Sequence, residues 1–253
     1  MKLSDKVAII TGGGRGIGRE YALRFSKEGA KIVVADIGFE NAQKVAAEIQ
    51  ATGGDALAVH TDVSSSASTL EMAQKTVDRF GKIDILLNNA AIYYGIGMRR
   101  WDSWEPEDWD RMYAVNVKGS WLCMKAAVPQ MIAQAKGKII NVSSNTAATG
   151  LDALLPYTCS KGAIIALTRS MAKALGRHNI AVNCISPGYT MSEASTDMPG
   201  KIKGMDELAT RGRAFRRAQQ PDDLVGTAVF LASADSDFIT GQTIVVDGGE
   251  VLC

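Results

Sequence analysis

Tyr157 and Lys161 stand four residues apart, and Ser143 and Ser144 precede the tyrosine by fourteen and thirteen positions. A four-residue separation puts a phenol and an ammonium on one helix face. A phenol titrates near ~10 and is a poor base at neutral pH, but a neighbouring cation favours the phenolate. Bringing it to about 7 takes about 4 kcal/mol of differential stabilisation, at roughly 1.4 kcal/mol per unit. One lysine does not supply that alone. The chemistry such a pair serves is general acid/base catalysis on an alcohol or a carbonyl. By itself, Y-x-x-x-K describes a surface pair on an amphipathic helix equally well, so the elements around it decide.

Those elements alternate. Short apolar, β-branched runs at 6–11, 31–35, 56–61, 83–87, 138–142, 181–185 and 242–247 read as strands. Helical patterns at about 16–28, 40–52, 66–80, 109–134, 157–176 and 221–232 separate most of them, with Pro129 the expected site of a bend. Strand–helix alternation with short connections means right-handed βαβ units and a parallel sheet with helices on both faces. No linker, repeat or low-complexity tract interrupts residues 1–253, so one doubly wound α/β domain is expected, with a lid over about 189–215.

The first strand runs into Gly12-Gly-Gly-Arg-Gly-Ile-Gly18 and then a helix, the context of a phosphate-binding turn. Gly12 permits the tight turn, Gly16 lets the backbone approach a pyrophosphate, and Gly18 lets helix and strand pack closely. The helix N-terminus offers free N–H groups and the positive end of its dipole. Asp36 ends the second strand, where a carboxylate binds both hydroxyls of an adenosine ribose and repels a 2′-phosphate. Arg15 argues the other way, yet the carboxylate outweighs one nearby arginine, so NAD is expected over NADP. Asp62 and Val63, after the third strand, fall where an adenine would rest.

Composition excludes several classes. Lys+Arg is 28 against 27 Asp+Glu, a net charge of +1 that calls for neither nucleic acid nor an anionic membrane. No apolar run is long enough to span a bilayer. The four cysteines form no CxxC pair, which suits a reducing cytoplasm. Two histidines, His60 and His178, without an HExxH, make a histidine-rich metal site an unsuitable reading.

TGGGRGIG (11–18), NNAA (88–91), Asn116, Ser144, YTCSK (157–161) and SPG (186–188) are similar, in order and spacing, to the short-chain dehydrogenase/reductase family. The likeness covers nearly the whole chain. It implies a Rossmann fold with a seven-stranded parallel sheet, a homotetramer, and a small-molecule alcohol or ketone as substrate. It implies Tyr157 as general acid/base and Ser144 orienting the substrate oxygen. Lys161 would hold the nicotinamide ribose and lower the tyrosine pKa, and Asn116 would hold a water in a proton relay. Gly12, Arg15, Gly16, Ile17 and Gly18 would surround the pyrophosphate, while Asn89 and Ala90 edge the cofactor pocket. Pro187, Gly188, Thr190 and Ser192 would lie along the carboxamide. Two departures stand out: NNAA replaces NNAG, and Tyr-Thr-Met-Ser follows the PG turn.

The 92–104, 145–155 and 189–215 segments bring Tyr93, Tyr94, Met98, Leu154, Leu155 and Tyr189 toward the strand ends. As a pocket wall these suit a cyclic or aromatic secondary alcohol; as core or subunit contacts they say nothing of substrate. Arg211, Arg213, Arg216 and Arg217 read as a solvated face or an oligomer contact rather than an anion site. Two other functions remain open at this point: an NADPH-dependent 3-oxoacyl or sugar ketoreductase, and a nucleotide-binding regulatory protein without turnover.

Overall fold

A computed structural model of the protein describes residues 1–93, 95–196 and 204–252. Seven strands form one sheet: β1 (Val7–Thr11), β2 (Lys31–Asp36), β3 (Ala56–His60), β4 (Ile85–Asn88), β5 (Gly137–Val142), β6 (Ile180–Pro187) and β7 (Thr243–Val246). Their spatial order is β3-β2-β1-β4-β5-β6-β7, and every pairing is parallel. The chain therefore builds outward from β1 in one direction, then restarts at β4 and builds the other way. The strand ends beside that reversal form the crevice in which open α/β sheets bind ligands.

Strand residues alternate between two cores. Ala8, Ile10, Ile32, Val34, Ile85 and Leu87 face one side with α1 (Gly16–Lys27), α2 (Phe39–Ala51) and α10 (Asp222–Ala232). Ile9, Val33, Leu86 and Ile139 face the other, with α3 (Ser66–Phe80), α5 (Ser120–Ala133) and α7 (Leu155–Leu175). Continuous apolar runs are what a strand covered on both faces needs. Each such fully buried aliphatic side chain contributes about 1.5–3 kcal/mol.

The expected helix at 109–134 is three pieces. It begins earlier, as α4 (Pro106–Tyr113), because Glu105 and Asp108 form a reciprocal capping box and Pro106 occupies the first turn. It then opens into a π-helical turn, Ala114–Gly119, before α5. The irregularity thus lies at Asn116 rather than at Pro129, which sits within α5. Around the lid, α6 (Thr146–Thr149), α8 (Glu193–Thr196) and α9 (Met205–Arg211) are short helices. Residues 197–203 of the expected lid, and Tyr94, lie outside the described residues. Among the described residues, no helix is long and apolar enough to cross a membrane.

Candidate active site

A cavity of ≈ 850 Å³ opens at the carboxyl ends of the strands. Its wall includes every residue that the sequence proposed for cofactor binding: Gly12, Arg15, Gly16, Ile17, Gly18, Asp36, Asp62, Val63, Asn89, Ala90, Tyr157, Lys161, Pro187, Gly188, Thr190 and Ser192. Ser144 lies in it too; Asn116 does not.

The glycine turn is held from two sides. Gly12 has φ +63°, and a Cβ there would meet the Ala90 Cα at 2.8 Å. At Gly18 a Cβ would sit 2.0 Å from the Gly12 carbonyl oxygen, so helix and turn meet with no room for a side chain. Asn89 donates its side-chain amide to the Thr11 and Gly12 carbonyls at 3.2 and 3.1 Å. Thr11 Oγ1 accepts from both Asn89 and Ala90 N–H at 3.1 Å, a role that the sequence reading did not give it. Asp36 accepts from Gly14 N–H at 2.9 Å and from Gly38 N–H at 2.8 Å. Its carboxylate therefore braces the turn as well as facing the cavity. α1 carries no acidic residue in its first turn, which leaves its dipole end uncompensated for an anion.

Asp62 is partly committed. Its Oδ1 accepts from Ser64 N–H and Oγ–H at 2.9 and 2.7 Å, and its backbone N–H donates to Ser68 Oγ at 3.0 Å. Its own backbone N–H is thus taken. Ser192 lies across from the glycine turn, its Cβ 3.8 Å from where a Gly16 Cβ would stand.

The α7 residues meet the end of β5. Ser143 donates to the Lys161 carbonyl at 2.7 Å, and Lys161 Nζ donates to the Val142 carbonyl at 2.8 Å. Tyr157, Lys161 and Ser144 are all buried. Burial, reinforced by Tyr93, pushes the Tyr157 phenol above its ordinary range, while the Ser144 hydroxyl hydrogen-bonds it and acts the other way. Lys161 Nζ stands 5.5 Å from the Tyr157 ring centroid. Burial lowers its own pKa to about 8. The acidifying contact in this structure is Ser144.

Asn116 is buried in the π-helical turn. Its Oδ1 accepts from Ile92 N–H at 2.7 Å and its amide donates to Ser160 Oγ at 3.0 Å. It ties the loop after β4 to α7, one residue before Lys161.

Tyr93, Leu154 and Tyr189 line the cavity as expected. Tyr93 packs on Tyr157 with centroids 5.0 Å apart. Met98 packs beside that pair instead of reaching the cavity wall. Arg213 departs from its reading: it is 2% exposed, donates to the Tyr189 carbonyl at 2.5 Å, and lies 3.5 Å from Glu250. Its guanidinium thus lies inside, near Glu250, whereas Arg211, Arg216 and Arg217 are exposed. Glu250, Asn145 and Thr146 also line the cavity, and no motif marked them. Among the described residues, no group of three or more His, Cys, Asp or Glu could hold a metal ion.

This sheet, turn and buried tyrosine define a dinucleotide-dependent oxidoreductase of Rossmann type. A family model described as Enoyl-(Acyl carrier protein) reductase matches residues 12–250. Galactitol 2-dehydrogenase of Agrobacterium fabrum is 41% identical, with 98% of each chain covered. The (2S)-[(R)-hydroxy(phenyl)methyl]succinyl-CoA dehydrogenase subunit BbsD of Thauera aromatica is 35% identical over 100% of this chain and 99% of its own. A 7α-hydroxysteroid dehydrogenase complexed with NADH and 7-oxo glycochenodeoxycholic acid superposes with TM-score 0.93 at 34% identity, covering 98% of this chain and 95% of that one. The chain belongs to the short-chain dehydrogenase/reductase family. The cradle that a Cβ at Gly12 or Gly18 would fill, the uncompensated α1 N-terminus and the cavity's reach from Asp36 to Tyr157 fit a nicotinamide dinucleotide.

Proposed function

We propose that the chain interconverts a secondary alcohol and its ketone with NAD as hydride partner, and that Tyr157 is the general acid/base. The observation that carries this is the burial of Tyr157, Ser144 and Lys161 in the same cavity as the glycine turn and Asp36. The turn at 12–18 would hold the pyrophosphate, Asp36 the adenosine ribose, and Tyr157 with Lys161 the nicotinamide ribose. Bound NAD supplies a hydride acceptor at nicotinamide C4.

The chain's own residues do the rest. Ser144 donates to the substrate oxygen and fixes its position. In oxidation Tyr157 takes the hydroxyl proton as the carbon gives up hydride; in reduction it returns a proton to the developing alkoxide. Lys161 is held on the Val142 carbonyl beside the Tyr157 ring. Asn116 positions α7 through Ser160. The low exposure of Tyr157 keeps water off the reacting oxygen.

The substrate we favour is a medium-sized cyclic or aromatic molecule. Tyr93, Leu151 and Leu154 give the wall beside Tyr157 an apolar, ring-accepting surface. The Thauera relative's name describes a hydroxyl next to a phenyl ring, the same class of alcohol. We take the working form to be one domain per chain, assembled as a cytoplasmic homotetramer; sedimentation of the purified protein tests the assembly. The function is tested by a panel of secondary alcohols and ketones, including cyclohexanol, 1-phenylethanol and galactitol, followed by nicotinamide absorbance with NAD and with NADP. Absence of turnover with every member would remove the reading.

A further inference from the structure

The Ser144 hydroxyl has a fixed number of places for hydrogen bonds: one hydrogen to give and two lone pairs to receive. Thr146 fills both lone pairs. Its backbone N–H donates to Ser144 Oγ at 3.2 Å, and its own Oγ1–H donates to the same oxygen at 3.0 Å. Thr146 begins α6, where a backbone N–H has no partner within the helix and is free to be used this way. The residue also lines the cavity that holds Tyr157. With its lone pairs occupied, Ser144 can take part in a further hydrogen bond only as a donor.

Direction matters here. A serine that donates its one hydrogen to the Tyr157 oxygen, or to a substrate oxygen that takes its place, stabilises negative charge on that oxygen. A serine that accepts from the phenol does the opposite, since a hydrogen bond to the neutral form disfavours ionisation. Neither chain neighbour of Ser144 chooses between the two. Ser143, next in the chain, spends its hydrogen on the Lys161 carbonyl. Asn145 turns its amide toward Asp247 at 3.3 Å.

We infer that Thr146 is a positioning residue that sets the direction of the Ser144 hydroxyl, holding it as a donor toward Tyr157 or, once bound, the substrate oxygen. This rests on the proposed roles of Ser144 and Tyr157. The threonine touches no reacting atom. It acts by removing the alternative orientation of the hydroxyl that does.

The test compares Thr146→Val, Thr146→Ser, Ser144→Ala and the double variant Ser144→Ala/Thr146→Val, using whichever of cyclohexanol, 1-phenylethanol and galactitol turns over fastest with NAD. Thr146→Val keeps the shape and the backbone donor but deletes the hydroxyl. It is expected to lower kcat about tenfold, to leave the KM for NAD unchanged, and to move the acidic limb of the kcat/KM pH profile upward. Thr146→Ser restores the donor and is expected to recover most of the rate. In the Ser144→Ala background the valine substitution is expected to cost nothing further. Wild-type kcat and pH profile in Thr146→Val, failed rescue by serine, or losses that multiply in the double variant would each overturn the inference. Full activity in Ser144→Ala alone would overturn the underlying reading of Ser144 as well, so the two failures are distinguishable. If Thr146→Val does not fold, Thr146→Ala carries the same comparison.

Discussion

Asp36→Asn asks whether the carboxylate at the end of β2 decides between the two nicotinamide dinucleotides. The carboxylate has two neighbours, the N–H groups of Gly14 and Gly38 at 2.9 and 2.8 Å. Asparagine keeps one acceptor oxygen and a similar shape but gives up the charge. It also weakens the brace on the glycine turn, by about 1.5–3 kcal/mol for a charge-assisted hydrogen bond lost. That loss weakens NAD and NADP equally, because both use the same turn. The ratio of their affinities isolates the charge. A phosphate of charge about −2 within about 5 Å of a carboxylate, in a medium as polar as water, is repelled by about 2 kcal/mol. Removing the carboxylate is therefore expected to shift the NADP-to-NAD affinity ratio roughly 30-fold toward NADP, at ~1.4 kcal/mol per decade. Isothermal titration of wild type and variant with each dinucleotide, at one ionic strength, gives the ratio directly. A ratio within twofold of wild type, in a variant whose melting shows it folded, would refute the placement of Asp36 at the adenosine ribose.

Tyr157→Phe removes the phenol oxygen and leaves the ring against Tyr93; we expect dinucleotide affinity within a few-fold of wild type and turnover reduced at least 1000-fold, scored by titration and by absorbance. Gly18→Ala drives a Cβ to 2.0 Å from the Gly12 oxygen, so the turn must open. Dinucleotide binding should fall below detection and the melting temperature should drop; unchanged binding would mean that the turn does not hold the phosphates. Lys161 is buried with its pKa lowered to about 8, so the unfolded chain binds the extra proton between about pH 8 and 10.5. Its charge burdens the fold below that window, and the burden is relieved as pH rises through it. Lys161→Met should raise stability at pH 7 by up to ~3 kcal/mol, less what the Val142 carbonyl loses with its donor, and the gain should shrink toward pH 10. Denaturant midpoints at pH 7, 8.5 and 10 check this; a gain that grows with pH contradicts it.

Much of the architecture was legible because it follows from periodicity. Runs such as Val7–Ile10 and Ile32–Ala35 are apolar at every position, and only a strand covered on both faces uses such a run. The glycine turn and the Tyr157–Lys161 spacing were legible because each is local in sequence. What escaped reading depends on distant partners. Nothing in the sequence around Asn116 announces a π-helical turn, which arises where Asn116 must reach both Ile92 and Ser160. Arg213 reads as one more surface arginine until the chain end brings Glu250 beside it. The burial of Lys161 and Tyr157 also had to wait for the fold, since four-residue spacing places two groups on a face without saying how dry that face is. Thr146 was passed over because its partner is a side chain two residues away, across a turn that no pattern marks.

The weld between β5 and α7 has a consequence for how such a protein could change over time. Ser143 and Lys161 exchange bonds with each other's elements, and Asn145 N–H is fastened to the Pro187 carbonyl at 2.8 Å. The groups that would move protons are thus mounted on a rigid frame, whereas Thr149, Leu151, Tyr189 and Glu193 enter the cavity from short helices and connections around it. The rim can be exchanged residue by residue without disturbing the frame. One scaffold could in that way be retuned toward sterols, polyols or aryl carbinols by edits confined to its margin.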